Sequence, residues 1–122
     1  LNNSNPSDLA RAMIEGMLCG MADAVNSLEK LGVEVKRILL VGGAAKNPAV
    51  GKIASAIFGR EVLLPPPGEY VAIGAAKLAA WALLGNDRPP QWDLGKVESI
   101  KERATPEVLV KYRKLRDQTQ GW

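Results

Sequence analysis

Four consecutive apolar residues, Ile38, Leu39, Leu40 and Val41, run straight into Gly42 and Gly43 in the stretch ILLVGGAAKNPAVGKIASAIFG. The run does not alternate with polar residues, so it suits a strand covered on both faces, as in a parallel sheet. Pro48 then opens a helix, at a position where its missing N–H costs nothing. Val50, Ile53, Ala54 and Ile57 mark the inner side of that helix, and Gly59 closes it. REVLLP supplies a second short strand, stopped by Pro65, Pro66 and Pro67. A helical crossover between two such strands makes them parallel.

The flanking segments extend this order. A long helix is predicted from Ser7, with Ser7 as its cap and Asp8 near the positive end of the dipole. Leu9, Met13, Met17, Met21, Leu28 and Leu31 recur at helical spacings and define its expected inner face, and Gly32 ends it. After the prolines, Gly68 and Glu69 lead into an alanine-rich helix that ends at Gly85 and is expected to lie close to the sheet. Residues 86–105 are turn-rich and read as an extended surface segment, pinned to the body by Trp92. Residues 106–118 read as a terminal helix with Val108, Leu109, Tyr112 and Leu115 inward. The fold class is therefore α/β: helix, strand, helix, strand, helix, then a C-terminal tail helix. Residues 1–85 form one portion, and residues 86–122 are expected to pack on it.

Two strands make a poor sheet, and each open edge exposes unpaired N–H and C=O groups. Further strands are expected upstream, in a longer protein, as the missing initiator methionine also suggests. An open edge in the chain by itself predicts pairing between two copies.

Composition narrows the chemistry. The chain has no histidine, which excludes a Ser-His-Asp or Cys-His nucleophile system and any imidazole zinc site within it. Cys19 lies among Met17, Leu18 and Met21 and reads as a small buried hydrophobe of a reducing compartment. Six basic and three acidic side chains follow residue 100 and carry the whole net charge of +3. That basic tail is a solvated face, since no aromatic platform accompanies it; no nucleic-acid partner is expected. The most apolar stretch, residues 71–84, is too short to span a bilayer and contains Lys77, and no signal peptide is visible. Glu15 and Asp23 are eight residues apart, and Asp87 and Asp93 sit in the turn-rich segment. No general base and no metal cluster is read.

The glycine pair is the candidate site. Two residues without Cβ let the backbone turn and let a ligand approach it closely. The helix opening at Pro48 would turn free N–H groups and a positive dipole end to the same place. Lys46 adds charge, and Asn47 can either cap the helix or bond a ligand. These parts suit a nucleotide phosphate, but they equally make a plain strand-to-helix turn. The motif is neither a Walker loop nor GxGxxG.

Taken in order, IEGMLCGMADAVNSLEKLG, ILLVGGAAKNP and GEYVAIGAAKLAAWALLG resemble the C-terminal end of the FGGY carbohydrate kinases, members of the actin-like ATPase superfamily. The last stretch, followed by PPQW, is most similar to the xylulokinases of that family. The resemblance covers residues 7–92 well and the tail loosely. It implies a fragment of an actin-like (ribonuclease H-like) domain that lacks upstream sheet strands. By position, Gly42 and Gly43 match the family's phosphate-loop glycines, Ala44 stands where a third glycine is common, and Asn47 matches the loop asparagine that contacts the nucleotide. Ala72 and Gly74 match small residues beside the adenine pocket, and Glu69 an acid at the start of the last helix.

The resemblance further implies a cytoplasmic, ATP- and Mg²⁺-dependent kinase that converts D-xylulose to D-xylulose 5-phosphate. The sugar and catalytic base would lie in a missing N-terminal domain, so the chain alone is expected to be inactive. A related kinase of gluconate, ribulose or glycerol, or a non-enzymatic actin-like nucleotide-binding module, is the alternative.

Overall fold

The computed structural model describes residues 5–93 and 95–119; residues 1–4, 94 and 120–122 lie outside that description. Helix α1 covers Pro6–Lys30. Its cap is Asn5 rather than the expected Ser7: the Asn5 Oδ1 accepts from the Asp8 backbone N–H at 2.9 Å, and Asp8 Oδ2 accepts from the Asn5 N–H at 3.4 Å. Pro6, with φ already suited to a first helical position, moves the start upstream of Ser7. Gly32 ends the helix as expected. At φ +85° it lets its own N–H reach Glu29 O and lets the Val33 N–H reach Leu28 O.

The face that α1 buries is not the one its methionines predict. Leu9, Met13, Met17, Met21, Leu28 and Leu31 are 44–81% exposed, whereas Leu18, Cys19 and Ala22 are buried. Ile14, Leu18 and Ala22 form a second stripe at four-residue spacing, and this stripe meets the core. An α-helix with two apolar stripes offers either one inward, and packing against its neighbours decides between them.

Strand β1, Ile38–Leu39, lies parallel to β2, Val62–Leu64, in the register Ile38↔Val62 and Leu39↔Leu63. Helix α2, Pro48–Phe58, is the crossover and contributes Val50, Ala54, Ala56 and Ile57 to the buried core. Ile53 is half-buried. β1 is covered on one face only: Ile38 and Leu40 pack on the core, while Leu39 and Val41 are exposed. Its non-alternating run thus carries apolar side chains that nothing in the described chain covers.

A third strand, β3 (Glu98–Ile100), pairs antiparallel with β2 and makes the sheet order β1-β2-β3. It falls in the segment expected to be an extended surface stretch. Glu-Ser-Ile has no strand-like alternation; its pairing with β2 creates it. Trp92 is 41% exposed and does not pin this segment. The anchor is Ser55 on α2, fully buried, whose Oγ donates to Arg60 O at 3.0 Å and accepts from the Glu102 N–H at 2.9 Å.

Helix α3, Tyr70–Leu84, buries no residue, contrary to the expected close packing on the sheet. Val71 is 90% exposed, and Leu78, Leu83 and Leu84 are exposed with it. The three prolines at 65–67 carry the chain out of β2 without an N–H to continue the ladder, and α3 starts beyond them. Helix α4, Pro106–Thr119, returns to the core through Val108, Leu109 and Tyr112; Leu115 is exposed rather than inward. Asp23 on α1 clasps it, bonding Arg113 Nε at 2.7 Å and the Arg116 guanidinium. Burial, then the nearby carboxylates of Glu15 and Asp23, push the Cys19 thiol above its usual range, against a smaller opposing effect of Arg113.

Candidate functional site

The carboxyl end of β1 delivers the chain to Gly42, at φ +102° and ψ −178°, a combination confined essentially to glycine. A single 3-10 turn, Gly43–Lys46, follows, closed by Ala45 N–H to Gly42 O and Asn47 N–H to Ala44 O. Asn47 then caps α2: its Oδ1 accepts from the Ala49 N–H at 3.0 Å, and its carbonyl accepts from Val50 N–H at 3.0 Å.

This local arrangement redistributes the expected donors. Pro48 has no N–H, and Asn47 takes those of Ala49 and Val50, so the first turn of α2 has little left to offer. Among the described residues, the backbone N–H groups of Gly42, Gly43 and Ala44 have no acceptor. The unspent donors belong to the glycine turn, one step earlier than the sequence suggests. Three successive free amides at a bend suit an anion. A Cβ built on Gly43 meets nothing within 4 Å, so this side of the turn is open.

The turn faces a cavity of about 700 Å³ at the carboxyl ends of β1 and β2, the end of a parallel pair where α/β sheets bind ligands. Gly42, Gly43 and Lys46 line it; Ala44 and Asn47 do not. The Asn47 carbonyl oxygen is engaged as a cap, which leaves its amide N–H₂ as its free polar group. Ala72 and Gly74 also lie away from the lining, and a Cβ on Gly74 meets nothing within 4 Å.

Several lining residues were not anticipated. Tyr70 stands at the start of α3, and its hydroxyl donates to Pro66 O, bracing the proline run that forms one wall. Lys96 and Glu98 bring a second lysine and a carboxylate, beside Glu69, which the sequence matches to an acid at the start of the last helix. Lys96 and Glu98 escape sequence reading because their place depends on β3, which has no pattern of its own. Glu69 makes no side-chain capping bond to α3, so its carboxylate remains available to the cavity. Elsewhere, Asp23 is engaged by its arginines and Asp93 accepts from the Gly95 N–H at 2.8 Å. No three carboxylates or thiols gather among the described residues in a way that could hold a metal ion.

The matching family model is the C-terminal domain of the FGGY family of carbohydrate kinases, over residues 1–83. A probable D-xylulose kinase A from Aspergillus clavatus is 34% identical over 88 residues, which cover 66% of this chain and 15% of that protein. A glycerol kinase from Thermococcus kodakarensis is 37% identical over 75 residues, 62% of this chain and 15% of that protein. Among solved structures, the crystal structure of xylulose kinase from Bifidobacterium adolescentis superposes with a TM-score of 0.75 at 41% identity. That match covers 94% of this chain and 23% of that one. The chain therefore spans less than a quarter of each of these relatives.

Proposed function

The chain belongs to the FGGY family of carbohydrate kinases, and on that premise we propose that it is the nucleotide-binding C-terminal portion of an ATP-dependent kinase that converts D-xylulose to D-xylulose 5-phosphate. The observation that carries this reading is the row of unspent amides at Gly42, Gly43 and Ala44, of which Gly42 and Gly43 line a cavity that Lys46 also lines. Such a bend binds the oxygens of a polyphosphate without any catalytic side chain. Phosphoryl transfer depends mostly on placing the phosphoryl group and neutralising its charge, and placement is what this chain offers. Asn47 lies off the cavity lining and serves the site by fixing α2 through its side-chain carbonyl.

Magnesium belongs to the reading as the ion that would accompany ATP and neutralise phosphate charge. No cluster of three carboxylates gathers for it among the described residues, and its protein ligands, the general base and the sugar pocket are assigned to an upstream part of the kinase. The uncovered apolar surfaces support that larger body. The Leu39 and Val41 face of β1, the methionine stripe of α1 and most of α3, including Val71, Leu78, Leu83 and Leu84, are exposed here, and a helix apolar on most sides is ordinarily buried. Residues 1–85 form the nucleotide wall, and residues 86–122 brace it through β3 and α4. No described helix is long and apolar enough to cross a membrane, and the proposed site of action is the cytoplasm.

Xylulose is chosen because xylulose kinases stand both among the curated relatives and in the solved structure at 41% identity. Glycerol is the second reading, favoured by glycerol kinases of 37% and 30% identity. ADP release by the longer kinase carrying this segment distinguishes them. Turnover is expected with xylulose and to be much slower with glycerol, gluconate or ribulose. Faster turnover with glycerol replaces the sugar assignment, and turnover with none of them removes the kinase reading. The 122-residue chain alone is expected to show no xylulose-dependent ADP release.

A further inference from the structure

We infer that Lys96 is a second phosphate-binding cation of the nucleotide site, supplied from the turn just before β3, beyond the residues that the family model matches. This inference rests on the nucleotide reading of the cavity and assigns a role to a residue which that reading does not use.

The placement follows from register. Leu64 at the carboxyl end of β2 pairs with Glu98 at the start of β3. Because the two strands are antiparallel, the residues just before β3 lie beyond the carboxyl ends of β1 and β2, where the glycine turn also lies. Lys96 enters the cavity from the β3 edge and Lys46 from the β1 edge. Two strand spacings, about 10 Å, separate those edges. A flexible lysine on each side closes that gap around an extended polyphosphate, each acting as a point charge.

The turn that presents Lys96 is held in place. Gly95 has φ +83°, and its N–H is taken by Asp93 Oδ1. A Cβ at Gly95 would lie 3.1 Å from Pro66 Cγ, so the turn is seated against the proline wall as closely as a glycine allows. Neither Lys46 nor Lys96 has a carboxylate within 4.0 Å among the described residues, in contrast to Arg11, Lys36, Arg60, Arg113 and Arg116.

Charge bookkeeping makes Lys96 consequential. The lining carries Lys46 and Lys96 against Glu69 and Glu98. With both lysines the cavity is balanced. Without Lys96 two carboxylates face one cation, and the net field opposes a phosphate.

The test is a titration of the ¹⁵N-labelled chain with ATP and, separately, with adenosine, at low salt and into the millimolar range, following the amides of Gly42, Gly43 and Ala44. Wild-type chain is expected to show shifts at these amides with ATP. Lys96→Ala should weaken ATP about fivefold, as for an ion pair at the upper end of the exposed range, with adenosine changed less than about twofold. Lys96→Arg should restore ATP affinity. An unchanged ATP affinity in Lys96→Ala overturns the role of Lys96 and leaves the nucleotide reading standing. Equal losses for ATP and adenosine also overturn it, because a charge acting on phosphate cannot weaken adenosine. Absence of any ATP-induced shift at the three amides in the wild-type chain overturns both.

Discussion

Replacing Ser55 by alanine tests how the tail is fastened to the rest of the chain. Ser55 is fully buried on α2 and serves two main-chain groups at once, the carbonyl of Arg60 and the N–H of Glu102. Ser55→Ala leaves both without a partner. A group stranded in this way costs about 1–3 kcal/mol. Arg60 and Glu102 are themselves exposed residues, so water partly reaches their backbone and the low end applies, about 1 kcal/mol each. Alanine returns about 0.5 kcal/mol of helix propensity. The net expectation is a loss of about 1.5 kcal/mol, or about 6 °C in Tm for a chain of this length. Urea denaturation followed by circular dichroism measures the loss, and hydrogen exchange at the Glu102 amide localises it. Exchange there should accelerate more than at the Thr105 amide, which bonds Ala56 O independently at 3.0 Å. A loss under about 0.5 kcal/mol, or unchanged protection at Glu102, would refute the view that Ser55 holds β3 in register.

Gly42→Ala should cost about 1–3 kcal/mol, because its backbone conformation excludes a side chain, while Gly43→Ala, with open space for a Cβ, should stay within about 0.5 kcal/mol in the same melts; equal effects would contradict the geometry of the turn. The buried Cys19 thiol is held above its usual range, so the unfolded chain ionises first as the pH rises. Its contribution to stability should be complete at neutral pH and fall away above about pH 8.5, seen as a narrowing stability gap between wild type and Cys19→Ala. A gap that widens with pH would reverse the sign. With the outer edge of β1 unpaired among the described residues and Leu39 and Val41 exposed, the chain alone is expected to sediment as a dimer, and a stable monomer at high concentration counts against edge pairing.

The strand–glycine–helix unit was legible because each of its parts is local: the apolar run of β1, the stop at Gly42, and Pro48 as a first helical residue. The family was legible for the same reason, since its motifs are short and ordered along one stretch. What the sequence hid depends on contacts. α1 carries apolar residues on two faces, and Leu18 and Ala22 win over Met13 and Met17 only because α2 and α4 sit on their side. β3 exists through its pairing with β2, so Lys96 and Glu98 could not be placed at the cavity beforehand. The capping role of Asn47 was foreseen as one of two options. Its consequence, that the free donors fall at Gly42, Gly43 and Ala44 instead of at α2, required the backbone geometry.

The most direct measurement is steady-state kinetics of Gly43→Val in the longer kinase that carries this segment. A Cβ at Gly43 meets nothing within 4 Å in the chain itself, so a branched side chain there obstructs a ligand and not the fold. The KM for ATP should rise tenfold or more, equivalent to about 1.4 kcal/mol of lost binding, while the KM for the sugar changes less than about twofold. An unchanged KM for ATP in a folded enzyme would contradict the claim that phosphate rests on the glycine turn.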